Sequence, residues 1–272
     1  MAIVNVTADS FSGDGVLTGD DWDRALAAGV RAAADAGADW IDVGAESTRP
    51  GATPVPEATE LAVVRDALPI VREGCDLPIS IDTSKAAVAD AACALGASMV
   101  NDVTALANDP EVAAVAAARG AELVLMHNRA GASTVAHDDR LGAQFVPPAP
   151  SGDIVAAVLE GLEPAISAAL AAGVRPDGIW LDPGIGFGKT QAENLELVRR
   201  GDELLAAGRP VLVGPSRKGF IGRAVDRPVD QRDPATAAVV ALLAERGIDM
   251  VRVHDVATMR QVVDMVAAVH AG

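Results

Sequence analysis

The feature that most constrains the fold is a regular alternation of two kinds of segment along the chain. Short runs rich in Val, Ile and Leu occur eight times, and nearly all end in a polar residue: AIVNVT, WIDVG, PISIDT, MVNDV, ELVLMH, IWLDPG, VLVGPS and MVRVHD. Ala-rich stretches with helical spacing lie between them, for example WDRALAAGVRAAADAGA and DPATAAVVALLAERG. Apolar strands that alternate with helices are typical of a parallel sheet, and eight such units close a barrel.

A barrel of this kind accounts for the whole length of the chain, 272 residues, as a single domain. We therefore predict an α/β protein with one (β/α)8 TIM-barrel domain over residues 1–272 and long loops after strands 1 and 2. The longest connection runs from His127 to Ile179, and its Gly- and Pro-rich first part is predicted to be a loop over the barrel mouth. Helix starts are predicted at the caps Asp20, Ser84, Asp109, Ser151 and Asp233, and helix ends at Gly37, Gly96, Gly120, Gly173 and Gly247.

Charge and composition exclude several classes of partner. The formal net charge of -16 argues against a nucleic acid or an anionic membrane, because a polyanion would be repelled. Any anionic substrate must therefore meet local Arg or Lys side chains or a metal ion. No run of 18 apolar residues occurs, and Cys75 and Cys93 lack the spacing of a zinc site or disulfide framework. We predict a cytoplasmic protein with no nucleic-acid or membrane partner.

The stretch LDPGIGFGKT, residues 181 to 190, invites comparison with a phosphate-binding loop. A Walker A loop needs Gly where Pro183 stands, and a dinucleotide fingerprint needs Gly where Lys189 stands, so both patterns fail by one residue. We expect the glycines to let the backbone turn beside Asp182 instead. Lys189 and Thr190 are expected to lie at the start of the next helix, without a role in the site.

Polar residues at the carboxyl ends of the strands indicate where the site lies. In a TIM barrel these ends converge on one cavity, although neighbouring residues point to opposite faces. For any single residue a strand-end contact is about as plausible as a role in the site, but the set as a whole favours a site. Its members are Asn5, Asp42, Asp82, Asn101, Asp102, His127, Asp182, Ser216, Arg217, Lys218, Arg252, His254 and Asp255.

Two subsets of these residues indicate what is bound. Asp82, Asn101, Asp182 and Lys218 offer acceptors and an ammonium group, which suit a flat heterocycle with an amidine-like edge. Arg252 and His254 stand two apart on the eighth strand, so both side chains point the same way and favour an anion.

The first two loops add a metal site and a lid. Asn5 and Asp9 supply oxygen ligands of the kind that Mg²⁺ accepts, with phosphate and water completing the shell. Loops TADSFSGDG and GAESTRPGATPVP follow the first two strands and contain Phe11 and Arg49. Ordinary solvated turns would explain their Gly and Pro, whereas a lid over a substrate also explains the Phe and the Arg.

Eight ordered motifs resemble those of the dihydropteroate synthase family over essentially the whole chain. They are Asn5-Val-Thr-Ala-Asp-Ser-Phe, Glu46-Ser-Thr-Arg-Pro-Gly-Ala, Ser80-Ile-Asp-Thr, Asn101-Asp-Val, Leu125-Met-His, Asp182-Pro-Gly-Ile-Gly-Phe, Ser216-Arg-Lys and Arg252-Val-His-Asp-Val. The resemblance implies a folate-pathway transferase that condenses 6-hydroxymethyl-7,8-dihydropterin pyrophosphate with p-aminobenzoate. The products are 7,8-dihydropteroate and pyrophosphate. It further implies SN1-like loss of pyrophosphate, sulfonamides as inhibitors and a homodimer formed through late helices.

The resemblance also implies a role for each matching residue. It implies that the pterin contacts Asp82, Asn101, Met126, Asp182 and Lys218, and that pyrophosphate contacts Asn5, Thr48, Arg49, Arg252 and His254. It implies that p-aminobenzoate contacts Phe11, Pro50, Phe187 and Gly219, that Asn5 and Asp9 hold Mg²⁺, and that catalysis uses Asp9, Arg49, Lys218, Arg252 and His254. Gly219 stands where the family commonly has Ser, which removes one hydroxyl from the expected carboxylate contact.

Four other functions are weighed against this one. A metal-dependent hydrolase needs a His-x-His pair on the first strand, which reads AIVNVT, and a Schiff-base lyase needs Lys on a middle strand. A pterin-dependent methyltransferase also binds the pterin through acidic and amide side chains, but it does not use a pyrophosphate site. A pterin-binding module without catalysis does not require Asn5, Asp9 or Arg49.

Overall fold

The computed structural model describes residues 1–6, 21–147 and 149–271, and its framework is a barrel of parallel strands. All eight predicted strands are present. They are β1 (Ala2–Asn5), β2 (Ile41–Gly44), β3 (Ile79–Asp82), β4 (Ala97–Asp102), β5 (Glu122–Met126), β8 (Ile179–Asp182), β9 (Leu212–Val213) and β10 (Met250–Val251). Most of their Val, Ile and Leu side chains are buried, except Ile3, Val4 and Val251, and this burial explains why the strands read as continuous apolar runs.

The strands follow one another around the barrel in chain order. Six of them form one parallel sheet in the order β1, β2, β3, β4, β5, β8, and β9 pairs with β10 in a second one. Single parallel bridges, Ala2 with Val253 and Leu181 with Val211, join the two sheets. The TIM-barrel prediction is therefore confirmed. The prediction of a single domain over residues 1–272 stays a prediction.

Ten helices occur in the described residues and surround the strands. They are α1 (Trp22–Asp35), α2 (Glu57–Gly74), α3 (Ala86–Ala94), α4 (Glu111–Arg119), α5 (Ile154–Ala171), α6 (Gln191–Arg199), α7 (Gly201–Leu204), α8 (Gly219–Val225), α9 (Asp233–Glu245) and α10 (Val256–Ala271). By length and composition alone α5 could cross a membrane. Leu162, Ile166 and Ala169 are among its buried residues, which belong to the hydrophobic core.

The predicted helix ends are confirmed, whereas most predicted helix starts were wrong. Each of the five glycines predicted at helix ends has a positive φ, the conformation in which Gly meets least steric penalty. The N-cap residues differ from the predicted Ser84, Asp109, Ser151 and Asp233. For α5 the cap is Asp153, which accepts hydrogen bonds from the backbone of Val155 and Ala156. The predicted cap Asp20 lies outside the described residues.

The segment predicted as a loop over the barrel mouth contains a small antiparallel hairpin. Its strands are β6 (Thr134–Ala136) and β7 (Gln144–Val146), with Val135 opposite Phe145. The prediction of an irregular loop was incomplete, because two three-residue strands are too short to produce a recognisable alternation of apolar and polar residues.

Candidate active site

Three polar residues predicted to bind a heterocycle lie at or next to the carboxyl ends of parallel strands. Asp82 is the last residue of β3 and lies in register with Asn101 of β4. Asp182 ends β8 in register with Met126, the last residue of β5. All four side chains are buried. Sheet register therefore brings these residues to one end of the barrel, as the sequence predicted.

Arg252 is held by two carboxylates at the centre of this group. Its Nε donates to Oδ2 of Asp42 at 2.6 Å, and its Nη2 donates to Oδ2 of Asp82 at 2.8 Å. Burial raises the pKa of Asp82 to about 7, which the charge on Arg252 opposes and the charge on Asp42 reinforces. The predicted pyrophosphate ligand and a predicted pterin ligand therefore form one ion pair.

Asp182 and Lys218 form a second pair of opposite charges. Oδ1 of Asp182 accepts a hydrogen bond from the backbone of Gly184 at 2.7 Å, and burial raises the pKa of this carboxyl. Burial lowers the pKa of Lys218 to about 8, against the charge on Asp182. Nζ of Lys218 donates to the carbonyl of Ile185 at 2.6 Å and lies 4.7 Å from the centroid of the Phe187 ring. The ammonium thus contacts both a polar group and an aromatic face.

Several buried polar atoms on β2, β3 and β4 have no protein partner. Within the described residues, Oδ1 of Asp42, Oγ of Ser80 and Oδ1 of Asn101 make no hydrogen bond. Buried polar atoms are nearly always paired, so unpaired ones inside the barrel, near its mouth, indicate where a ligand supplies the missing groups. Asp42 was among the strand-end residues gathered from the sequence, but neither it nor Ser80 was assigned to the site.

A cleft of about 370 Å³ opens beside Asp82, whereas Asn101, Asp182, Lys218 and Arg252 are not among its lining residues. Its lining includes Thr48, Arg49, Asp82, Phe187 and Phe145. The structure thus brings the STRP loop and the loop after β8 together, as the sequence predicted. Phe145 was not predicted, because its hairpin showed no sequence signal.

The remaining predicted contacts of p-aminobenzoate have separate positions. Pro50 follows Arg49 in the same turn and is not among the lining residues of this cleft, and Gly219 is the first residue of α8. Phe11 lies outside the described residues.

The loop that contains Thr48 and Arg49 is fixed by a buried charge network. Glu46 accepts from the backbone of Val55 at 3.0 Å and from Nζ of Lys85. The same Nζ contacts the fully buried Glu60, which also accepts from the hydroxyl of Thr83 at 2.6 Å. The loop after β2 is thereby tied to the start of α3 and to the first turn of α2.

His254 and Asn5 lie around a second opening rather than in the cleft. A cavity of about 310 Å³ between β1, α1 and α10 has both residues in its lining. Nδ1 of His254 lies 2.9 Å from Oγ of Ser216, so this hydroxyl fixes the ring. Asp9, the other predicted magnesium ligand, lies outside the described residues. Among residues that the structure does describe, no group of three His, Cys, Asp or Glu side chains could hold a metal ion.

The glycines of LDPGIGFGKT allow two backbone segments to approach each other. A Cβ atom on Gly184 would lie 2.0 Å from the carbonyl oxygen of His127, and one on Gly188 would lie 2.4 Å from the carbonyl carbon of Arg129. Both glycines have a positive φ. The segments after β5 and β8 can therefore touch only where no side chain intervenes.

The expectation that Lys189 and Thr190 have no role in the site was wrong for the lysine. Lys189 is buried, and its Nζ donates to the carbonyls of His127, Gly184 and Phe187 at 3.0, 2.9 and 3.3 Å. Burial lowers the pKa of Lys189 to about 7. The three carbonyls nevertheless match the three N–H donors of an ammonium group, so this geometry accommodates the charged form. Lys189 therefore holds together the segments that contain Asp182 and Phe187. Thr190 does start α6, with a capping box to Glu193.

Comparison with known proteins agrees with this geometry. Residues 1–254 match the family model for pterin binding enzymes. The dihydropteroate synthase of Bacillus subtilis is 40% identical over 268 residues, covering 98% of this chain and 87% of the relative. A Clostridium difficile dihydropteroate synthase solved with pteroic acid superposes with a TM-score of 0.88 at 37% identity, covering 100% of this chain and 96% of the other.

A second related structure contains the other kind of ligand. The Xanthomonas albilineans dihydropteroate synthase solved with 4-aminobenzoic acid has a TM-score of 0.86 at 40% identity, covering 100% of this chain and 93% of the other. The family match, the curated relative and both solved structures span nearly the whole chain. The chain therefore belongs to the pterin-binding enzyme family, within the dihydropteroate synthases.

Proposed function

We propose that the chain joins 6-hydroxymethyl-7,8-dihydropterin pyrophosphate to p-aminobenzoate, giving 7,8-dihydropteroate and pyrophosphate in folate biosynthesis. The single observation that carries this proposal is the set of unpaired buried acceptors on β2, β3 and β4, where Asn101 lies in register with Asp82. A pterin edge consists of N–H groups that would satisfy such acceptors. Relatives solved with pteroic acid and with 4-aminobenzoic acid support both halves of the reaction.

The ring would lie at the ends of β3, β4, β5 and β8. Asp82, Asn101 and Asp182 would accept its N–H groups, and Met126 would pack against its face. Lys218, which is stabilised by the charge on Asp182 and contacts the ring of Phe187, would donate to an acceptor of the ring. This arrangement rejects a ring without the N–H groups, because buried carboxylates would then be left unpaired.

The second step is the departure of pyrophosphate. We propose that the carbon–oxygen bond breaks before the neutral amine attacks, so that the protein supplies charges rather than a nucleophile. Arg252 with Arg49, Thr48 and His254 would stabilise the leaving anion. The carboxylates of Asp82 and Asp182 would favour the positive charge that develops on the pterin methyl carbon.

A magnesium ion is proposed at Asn5 and Asp9. Asn5 ends β1 and offers an amide oxygen, which is a donor that Mg²⁺ accepts alongside phosphate and water. When bound, the ion would neutralise charge on the pyrophosphate. In the same proposal p-aminobenzoate and sulfonamides share one slot, with Phe11, Pro50, Phe187 and Gly219 around it.

Two further properties stay proposals. We infer a homodimer through α9 and α10, since Leu242, Met265 and Val269 on these helices are 46%, 63% and 65% exposed. A cytoplasmic location is inferred from the two free cysteines of the described chain.

The test combines turnover with binding. Purified protein with pterin pyrophosphate, p-aminobenzoate and Mg²⁺ should yield dihydropteroate. The Asp182→Asn variant should lose most pterin affinity by calorimetry, because an amide nitrogen would face ring N–H groups while Oδ1 could still accept from Gly184. Asp177→Asn, an exposed acid in the turn before β8, is the matched control. Intact pterin binding without condensed product would favour the non-catalytic module, and unchanged affinity in Asp182→Asn would place the ring elsewhere.

A further inference from the structure

We propose that Phe145, at the centre of β7 in the hairpin over the barrel mouth, forms a wall of the p-aminobenzoate slot and limits which aryl amines react. This inference rests on the proposed function. It assigns a specificity-determining role to a hairpin that showed no sequence signal.

The first observation is a stacked aromatic pair in the lining of the cleft. The rings of Phe145 and Phe187 stack with centroids 6.1 Å apart and an interplanar angle of 29°. Phe187 follows β8 in the loop organised by Lys189, whereas Phe145 comes from a segment 42 residues earlier. Offset aromatic pairs of this separation are favourable, and both rings line the same cleft as Thr48 and Arg49.

The second observation is that the hairpin is anchored. Arg232 is buried, and its guanidinium donates to the carbonyl of Leu141 in the hairpin turn at 2.9 Å and to the carbonyl of Arg217 at 2.8 Å. Arg140 forms an ion pair with Asp226 at the end of α8. These contacts tie the hairpin to the segment that contains Lys218. Phe145 is therefore positioned by the barrel rather than by the hairpin alone.

The third observation is the chemistry around this pair. Phe187 contacts the Lys218 ammonium, and the cleft also contains the Arg49 guanidinium. Apolar ring faces flanked by cations suit an aromatic carboxylate, whose ring packs while its carboxylate meets a positive charge. An added substituent on the acceptor ring would collide with a fixed Phe145 side chain, so the hairpin would exclude larger amines.

The test compares two acceptors in two variants. Phe145→Ala is expected to raise KM for p-aminobenzoate about fivefold, in line with the loss of one aromatic contact, and to leave KM for pterin pyrophosphate within about twofold. The same variant should raise kcat/KM for a ring-methylated 4-aminobenzoate relative to p-aminobenzoate, because space is created. Val146→Ala, on the opposite and exposed face of β7, is the matched control and should change neither value.

The outcomes distinguish direct contact between Phe145 and the acceptor from an indirect role in which Phe145 only supports Phe187. If Phe145 only braced Phe187, both acceptors would lose kcat/KM equally, and that result would overturn the inference, as would an unchanged KM for p-aminobenzoate. Phe145→Leu, which keeps apolar bulk, should give an intermediate KM. Calorimetric binding of p-aminobenzoate to protein saturated with a pterin and pyrophosphate is measured in parallel, so the inference is decided even without turnover. Failure of the unsubstituted protein to form product would overturn the proposed function instead.

Discussion

Arg252 donates to Asp82 across 2.8 Å, although the two residues stand 170 positions apart in the chain. This contact joins the proposed leaving-group subsite to the proposed ring subsite. A ligand that takes one partner alters the electrostatic environment of the other, because both groups lie in a largely buried site. Binding of the ring and release of the anion are therefore expected to be coupled energetically.

The first prediction concerns pH. The pKa of Asp82 is raised to about 7, so this carboxyl is mostly protonated at pH 6 and mostly ionised at pH 8. Only the ionised form accepts two N–H bonds, and pterin affinity should therefore rise about fivefold to tenfold over this interval. Calorimetry across the pH range measures the effect. The Asp82→Asn variant should bind more weakly and with a flat pH dependence, and a persisting slope would assign the titration to another group.

The second prediction isolates the close approach at Gly184. Gly184→Ala and Gly208→Ala place a methyl group at nearly the same φ, +64° and +66°, but nothing lies within 4 Å of the second position. Both should lose about 1–2 kcal/mol of unfolding free energy to the left-handed conformation. Gly184→Ala should lose at least about 1–3 kcal/mol more, because the methyl would overlap the His127 carbonyl. Chemical denaturation measures the unfolding free energy of both variants. Equal losses would contradict the prediction, because they would show that the segments containing His127 and Gly184 can separate without cost.

The third prediction concerns the network that fixes the loop after β2. Glu46→Ala removes the contacts to Val55 and Lys85, so Arg49 should spend less time in its bound position. We expect kcat/KM to fall about tenfold while pterin binding by calorimetry changes less than about twofold. Glu57→Ala, an exposed acid at the start of α2, serves as the comparison. A loss of similar size in both variants would indicate a general charge effect.

The fourth prediction concerns the departure from the family at Gly219. A Cβ atom there would lie 3.2 Å from Nη1 of Arg223, the far end of a long side chain that can shift by a few tenths of an ångström, so substitution is sterically feasible. Gly219→Ser should lower KM for p-aminobenzoate about threefold to tenfold, because a hydroxyl can donate to the carboxylate. Gly219→Ala adds the Cβ without the hydroxyl and should leave KM unchanged. Steady-state kinetics measure KM for both variants. An equal change in the two would show that the stiffer backbone, and not the hydroxyl, causes the effect.

Sequence alone predicted the framework well, for physical reasons that particular residues illustrate. Buried strands are continuous in sequence, so the runs ending at Asp82, Asn101 and Asp182 were visible, and barrel geometry brought them together. Lys189 could not be assigned in this way, because its three partners are backbone carbonyls. Phe145 was missed because a three-residue strand has no measurable period.

The ion pairs inside the site could not be predicted from the sequence either. Arg252 was expected to face an anion, and its strand position was right, but no pattern relates it to Asp42 or Asp82. Contacts between distant strand ends depend on the closure of the barrel. The predicted roles of the site residues stay predictions until ligands are bound.

The uneven strand lengths have a consequence for how the barrel opens. β9 and β10 have only two residues each, and single bridges connect them to their neighbours, yet Arg252 directly follows β10 and Lys218 lies in the segment between β9 and α8. Few ladder bonds protect this arc, so its amides should exchange with solvent faster than those of β3 and β4. Hydrogen exchange measured by mass spectrometry would then show slow exchange at β3 and β4 and faster exchange at β9 and β10. Lys218 and Arg252, the two cations proposed to serve the reaction, would belong to the faster-exchanging part, and ligand binding would slow its exchange most.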